Sequence, residues 1–388
     1  MDFSYTPEQD AIREAIAKIC AQFGDDYWLK KDKEGGFPVE LHQALARDGW
    51  LGIAMPEAHG GAGLGITEAA IMMQTISASG AGFSGASAVH MNIFGLNPVV
   101  VFGTEEQKKR MLPGLIAGRE RSCFAVTEPN TGLNTTRIKT KAEKQGSKYV
   151  VSGQKVWIST AQIAEKILLL ARTTPIEECR KPAEGLTLFY TDFDRKHVEV
   201  REIDKMGRKC VDSNQVFFDG MPIPEADRIG EEGRGFEYIL HGMNPERILI
   251  AAESVGLGRC ALGRATQYAK ERVVFDRPIG QNQGIQHPLA ANWMALEAAN
   301  LMVFKAAWLY DSGKPCGAEA NAAKYLAGEA GFDACQQAVM THGGFGYAKE
   351  YHVERWLRES LVGRIAPVSP QLVLCFIAER VLGLPKSY

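Results

Sequence analysis

No two of the eight cysteines stand in a CxxC pair, and no HExxH or comparable histidine spacing occurs. Thiols scattered over positions 20, 123, 179, 210, 260, 316, 335 and 375 read as reduced and buried. That pattern excludes a disulfide framework and a zinc site, and it places the chain in the cytoplasm. Apolar runs such as KILLLA and LVLCFIA are far too short for a membrane span. The opening MDFSYTPEQDAIREA carries acids where a secretory leader would carry bases, so no leader is expected. Charge of one sign is missing too. The net charge is −2, the pI is near 6.5, and Lys and Arg are spread along the chain. Neither a nucleic-acid footprint nor a basic membrane-binding face follows from that. GFSGAS is not a G-x-S-x-G elbow, and no Ser/His/Asp arrangement is visible.

What is present is an ordinary globular composition. The chain has 388 residues, 45% hydrophobic and 23% charged, enough for two or three domains. Three textures follow one another. Up to about position 120 the chain reads as helices: TPEQDAIREAIAKICAQFG has a Thr-Pro-Glu start and Ile12, Ile16, Ile19 and Phe23 at helical spacing. The stretch from ITEAAIMM to VVVFG is apolar almost throughout, which predicts helices buried on all sides. From 121 the pattern changes to short runs rich in Val, Ile, Phe, Tyr and Thr, several bounded by turn residues, such as YVVSGQKVWIS and LTLFYTDF. From GEEGRGFEYIL onward, helical periodicity returns over 246–273, 284–312 and 317–340. The expected class is α+β: a helical domain at 1–120, an antiparallel β domain at 121–232, and a helical bundle of four-helix type at 233–388.

Glycine-rich stretches carry little alone. GLGRCA at 256–261 matches G-x-G-x-x-A in letters but lies inside a helical stretch, so small residues for helix packing are the better reading. HGGAGLG reads as a loop. THGGFGY joins two helices, and its paired glycines could let a backbone approach a phosphate.

MNPERILIAAES, residues 243–254, holds the chemical question. Asn244, Pro245 and Glu246 make a good helix start: a cap, a proline at the first position, and an acid facing the dipole. That local reading competes with a functional one. The helix is apolar nearly all round, with Glu246, Leu249, Ile250, Glu253 and Leu257 on one face. Burial at its head would push a carboxyl upward by desolvation, as suits a base that takes a proton from carbon. Adjacent helix positions do not share a face, so Arg247 is expected to point elsewhere.

Three distant stretches together carry a resemblance. CFAVTEPNTGLNTTRIKTKAEK with YVVSGQKVWIST, then YAKERVVFDRPIGQNQGIQ, then THGGFGYAKEYHVERWLRES resemble, in order, the flavin-binding β domain, the inter-subunit FAD contact and the pyrophosphate loop of the acyl-CoA dehydrogenases. GWLGIAMPEAHGGAGLG and FGTEEQKKRMLPGLIAG resemble their N-terminal domain. The resemblance implies an α-β-α subunit, FAD as cofactor, a homotetramer (dimer of dimers), and electrons leaving through an electron-transferring flavoprotein. It also implies α,β-dehydrogenation of an acyl-CoA to a 2-enoyl-CoA, in which a Glu removes the α proton and hydride passes to flavin N5.

By that resemblance Thr127, Leu133 and Asn134 fall at the TEP turn and the loop after it, where relatives often carry Ser and Asp at the last two positions. Trp157, Ile158 and Ser159 match the segment along the isoalloxazine. Arg272, Phe275 and Gln283 match contacts to a partner's FAD. Met340 to Gly344, including Gly343 and Gly344, match the pyrophosphate loop, with Met340 in place of a usual Gln. Ser369 and Gln371 match late cofactor contacts. Many relatives carry the base in an I-Y-E-G-T loop, but here Pro367 stands at that position. Others carry it in an E-R pattern at the head of the long bundle helix, which NPERILIA fits. Glu246 is then the catalytic base, with Asn244 and Arg247 near the acyl-CoA. Pro367 also lacks the backbone N–H that relatives use on the thioester oxygen, so a neighbour such as Val368 is expected to donate. The rivals are a non-oxidative acyl-CoA lyase on the same fold and a non-catalytic flavin- or CoA-binding protein.

Overall fold

The computed structural model describes residues 4–387, apart from the side chains at positions 92 and 94; the first three residues and the last, which fall in the expected outer domains, lie outside the described ones. Seven helices come first: α1 (Pro7–Cys20), α2 (Asp25–Glu34), α3 (Val39–Arg47), α4 (Ile66–Ile76), α5 (Gly82–His90), α6 (Asn97–Phe102) and α7 (Glu105–Ile116). Thr6 and Thr104 cap α1 and α7 through reciprocal bonds with Gln9 and Gln107, satisfying amides the first turn leaves open. Ile12, Ile16 and Ile19 face inward, as their spacing predicts. Helix α4 is buried on nearly all sides.

The sheet comprises β1 (Ser122–Ala125), β2 (Lys141–Gln145), β3 (Lys148–Ser159), β4 (Lys166–Arg172), β5 (Leu186–Asp192), β6 (Val198–Glu202), β7 (Ser213–Pro224) and β8 (Arg228–Ile229). Its order is β6-β7-β3-β2-β4-β5-β8, with β1 beside β4. One part of the expectation needs correcting: the sheet is mixed. β1 runs parallel to β4, and β2 touches β4 in parallel through Lys141 and Arg172. Between Lys166 and Arg172, β4 is an unbroken apolar run because both its faces are covered. Ile167, Leu169 and Ala171 point into the β core with Phe189, while Leu168 and Leu170 pack on Met111, Leu112 and Leu115 of α7. Each such residue, fully buried, contributes about 1.5–3 kcal/mol over an exposed one.

Helices α8 (Gly235–His241) and α9 (Met243–Glu271) follow, then a hairpin of β9 (Val273–Val274) and β10 (Arg277–Pro278). Next come α10 (Gln283–Asp311), α11 (Gly317–His342), α12 (Val353–Ile365) and α13 (Pro370–Phe376). The glycines of GLGRCA sit inside α9. A Cβ on Gly258 would lie 2.6 Å from Leu296 and 3.0 Å from Gly331, so small residues bring α9, α10 and α11 together. One apolar core joins α1 and α4 to α9, α10 and α11. The first and last segments therefore grip each other.

The C-terminal helices bear on the membrane question. Among the described residues, Val353–Val381 is long and apolar enough to cross a membrane by length and composition alone, with 11% of its most apolar window buried. Its sequence is not an uninterrupted apolar run, since Glu354, Arg355, Arg358, Glu359 and Arg364 fall within it, and its helix is broken between Ile365 and Pro370. Inside α12, Arg355 and Glu359 are buried as an ion pair at 3.1 Å.

Candidate active site

Glu246 lies in the first turn of α9 and is 7% exposed. The local expectation about its helix start is corrected here. Helix α9 already begins at Met243, directly after α8, and Gly242 occupies the cap position. The Glu246 amide donates to the Gly242 carbonyl at 3.1 Å. Asn244 does not cap; its side-chain oxygen accepts from Arg247 at 3.3 Å. A helix entered from another helix has no need of a side-chain cap.

Arg247 turns away from Glu246, as expected, and donates to the Met243 carbonyl at 3.1 Å. Its Nε is buried with no hydrogen-bond partner, as is Oε2 of Glu246. Oε1 of Glu246 lies 3.4 Å from Nε2 of His90, at the end of α5. The other ring nitrogen, Nδ1, pairs with Glu253, two turns along α9 and fully buried. Burial opposes a charge on His90, but the two carboxylates outweigh it and raise the imidazole to about 10. Burial pushes Glu253 upward while His90 pulls it down. Lys324 of α11 donates to the Arg364 carbonyl at 2.7 Å, and burial pushes its ammonium down to about 8.

Three residues of this cluster carry no motif in the sequence: His90 lies in an apolar run, Glu253 is a second acid on the Glu246 face, and Arg208 stands in no recognisable pattern. Arg208 donates to Ser87 of α5 at 3.0 Å and to Ser159 of β3 at 3.1 Å. It thereby ties the β domain to the helix that carries His90. The one legible signal was Glu253 seven positions after Glu246, two turns along one helix face.

The remaining predicted residues fall into two groups. Trp157 sits where the β3–β7 pairing shifts between Lys155 and Ile158. Its φ of 62° and an exposed indole mark a strained bulge that turns the ring out of the sheet. Thr127 accepts from the Val156 amide at 3.0 Å through its carbonyl, setting the TEP turn beside that bulge. The Ile158 side chain belongs to the β core, so a ligand along this segment would meet its main chain. Leu133 and Asn134 are exposed on the loop that follows the turn.

A cleft of about 510 Å³ gathers the second group: Arg272 with Met340 through Phe345, backed by Tyr268 and His342. A Cβ on Gly343 or Gly344 would meet nothing within 4 Å, so their main chain is open to a ligand. Arg272 lies 5.5 Å over the Phe345 ring. An open glycine main chain beside an exposed guanidinium suits a pyrophosphate. Phe275, at the hairpin tip, is 93% exposed, and Gln283 starts α10 on the surface. The Ser369 hydroxyl caps α13, accepting from Leu372 at 3.3 Å, and Gln371 is exposed beside it. Glu246 lies outside this cleft. A second cavity of about 480 Å³, lined by Glu128, Thr131 and Lys139, contains none of the predicted residues.

Comparison with known proteins gives this geometry its class. Models of the N-terminal, middle and C-terminal domains of acyl-CoA dehydrogenases match residues 6–119, 123–221 and 233–382. The acyl-CoA dehydrogenase fadE12 of Mycobacterium bovis is 38% identical over 392 residues, spanning 100% of this chain and 99% of that relative. Benzylmalonyl-CoA dehydrogenase of Aromatoleum aromaticum is 32% identical, covering 98% of this chain and 100% of its own. A glutaryl-coenzyme A dehydrogenase solved with glutaryl-CoA superposes with a TM-score of 0.94 at 27% identity, over 100% of this chain and 98% of that one. Butyryl-CoA dehydrogenase from Megasphaera elsdenii gives 0.93 at 28%, over 98% and 100%. The domain matches and the named relatives define a flavoprotein oxidoreductase, and helices, sheet and bundle in this order are its fold. The chain belongs to the acyl-CoA dehydrogenase family. It is an FAD-dependent enzyme that dehydrogenates an acyl-CoA thioester, and the lyase and non-catalytic readings are not favoured.

Proposed function

We propose that Glu246 is the base that removes the α proton of the acyl-CoA. One observation carries this reading: the carboxylate is buried at the head of α9, Oε1 lies at ion-pair distance, 3.4 Å, from Nε2 of His90, and Oε2 has no hydrogen-bond partner. A buried acceptor left unpaired is costly unless a ligand meets it. The orphaned Nε of Arg247, one residue on, supports a place for Asn244 and Arg247 beside the acyl-CoA.

FAD supplies the two-electron acceptor when bound. Arg272, Gly343 and Gly344 would hold its pyrophosphate, with Phe275 and Gln283 reaching a partner subunit's cofactor. Thr127, Trp157 and Ser159 would line the flavin ring, and Leu133, Asn134, Ser369 and Gln371 would complete the contacts. The bulged Trp157 and the open glycines support these assignments. Because Pro367 has no N–H to offer the thioester oxygen, we assign that donor to Val368. The domain limits 1–120, 121–232 and 233–388, a homotetramer, an electron-transferring flavoprotein as acceptor and a cytoplasmic location belong to the same reading. So does the absence of membrane insertion, which the break between α12 and α13 supports.

Glu246→Gln should retain flavin and bind acyl-CoA while losing flavin reduction by about 10²–10⁴-fold, the range of a positioned base. Stopped-flow bleaching under anaerobic conditions reads it. Reduction at the wild-type rate would move the base elsewhere.

A further inference from the structure

The base has a buried retinue that the dehydrogenation reaction does not itself require. Glu246, His90 and Glu253 form a file of carboxylate, imidazole and carboxylate, and His90 pairs with both acids. Side-chain exposure is 9% for His90, 9% for Glu246 and 0% for Glu253. Two acids this close and this dry repel each other and miss water's solvation, so a cation between them is needed. Among the described residues no arginine or lysine is ion-paired to Glu246 or Glu253. Arg208, whose charge reaches Glu253, donates its hydrogen bonds to Ser87 and Ser159. The pattern is that of a ligand held from behind: one group makes the contact, another fixes its orientation, and a third supplies counter-charge.

We propose that His90 and Glu253 are positioning residues for Glu246: the imidazolium, anchored by Glu253, fixes Oε1 and supplies the positive charge that a dry carboxylate needs, leaving Oε2 for the substrate. The inference rests on Glu246 being the base. Other ionisable groups packed around α5 are engaged elsewhere. On α12, Arg355 and Glu359 pair with each other, and Glu359 accepts from Ser84 at 2.7 Å. On α3, His42 is lowered to about 4 by burial and Arg121. His90 thus faces two acids.

The sign of the pH effect follows from counting charge. With His90 charged and Glu253 ionised, that pair adds no net charge beside Glu246; Arg208, Arg247 and Lys324, whose charges also reach the two carboxylates, are the same in every variant. His90→Gln removes one positive charge and leaves Glu253, a change of −1, which disfavours the carboxylate form of Glu246. The acid limb of the pH–rate profile for flavin reduction should then move to higher pH by about one unit or more. Adding Glu253→Gln restores neutrality, so the double variant should move back toward wild type. A purely structural role predicts the opposite, since two substitutions in contact disturb the local arrangement more than one.

The test is a set of anaerobic stopped-flow pH profiles on flavin-loaded wild type, His90→Gln, His90→Gln/Glu253→Gln and Glu246→Gln. Magic-angle-spinning ¹⁵N spectra of histidine-labelled wild-type holoenzyme are the companion measurement, needing no variant. The inference expects an upward limb in the single variant, its reversal in the double, and an imidazolium signal persisting at about pH 8.5, where an ordinary histidine is neutral. A His90→Gln profile superimposable on wild type, a double variant displaced as far as the single, or no imidazolium at that pH overturns it. An inactive Glu246→Gln beside unmoved profiles defeats this inference alone. An active Glu246→Gln defeats the assignment of the base and this inference with it.

Discussion

At Glu246 a single carboxylate, buried at the head of α9, approaches His90, whose other ring nitrogen pairs with Glu253. An acid in an otherwise apolar helix stands out along the chain, and Glu253 follows on the same face. His90 meets Glu253 from 163 positions away, and no periodicity reports a contact of that span. Arg208 was hidden for the same reason. The buried pair of Lys155 and Glu128, 3.0 Å apart, shows how local strands conceal charge: Lys155 alternates into a core rather than into solvent. Glu128 also accepts from the Lys139 and Thr140 amides at 2.7 and 2.8 Å, pinning the turn that carries Thr127. Lys155→Met should strand that carboxylate and cost about 3–5 kcal/mol of stability. Denaturant unfolding of the flavin-loaded protein measures it, and a change under about 1 kcal/mol would show the pair to be dispensable.

The elements themselves were the most readable level. Helices expected at 284–312 and 317–340 occur at Gln283–Asp311 and Gly317–His342. Their apolar periodicity is long enough to fix both type and extent. The start of α9 was misread because Asn-Pro-Glu mimics a helix opening, while α8 feeds straight into it. The parallel pairing of β1 with β4 was invisible, since strand order depends on what covers each face. Glycines inside helices are meaningful only once the partner is known. A Cβ on Gly331 of α11 would lie 2.6 Å from the Ser254 carbonyl oxygen of α9. Gly331→Ala should push the two helices apart and destabilise the protein by about 1–3 kcal/mol. Because Ser254 follows Glu253 directly, flavin reduction should slow as well. A variant with unchanged melting temperature would mean the helices have slack there.

At the scale of the whole molecule, the fold explains why distant stretches act together. Arg208 links Ser159 of β3 to Ser87 of α5, so the flavin-side strand and the helix holding His90 are joined by one guanidinium. What a single chain leaves open is a set of exposed apolar side chains. Met294, Leu301 and Trp308 lie seven residues apart along one face of α10, while Leu296 and Val303 are buried on the other. Phe275 and Tyr347 project near the glycine cleft, 93% and 88% exposed. Such patches mark association surfaces. Phe275→Ala should weaken flavin retention and subunit association together, read by sedimentation and the flavin-to-protein ratio. Full flavin content in a smaller assembly would separate the two. The central claim, that the Glu246 carboxylate takes the α proton, can be isolated from electron transfer. The direct measurement is deuterium wash-in from D₂O at the α carbon of an acyl-CoA analogue that cannot be oxidised, followed by mass spectrometry. Wild type should exchange that hydrogen and Glu246→Gln should slow the exchange by at least about 10²-fold. Exchange at the wild-type rate in the variant would contradict the account.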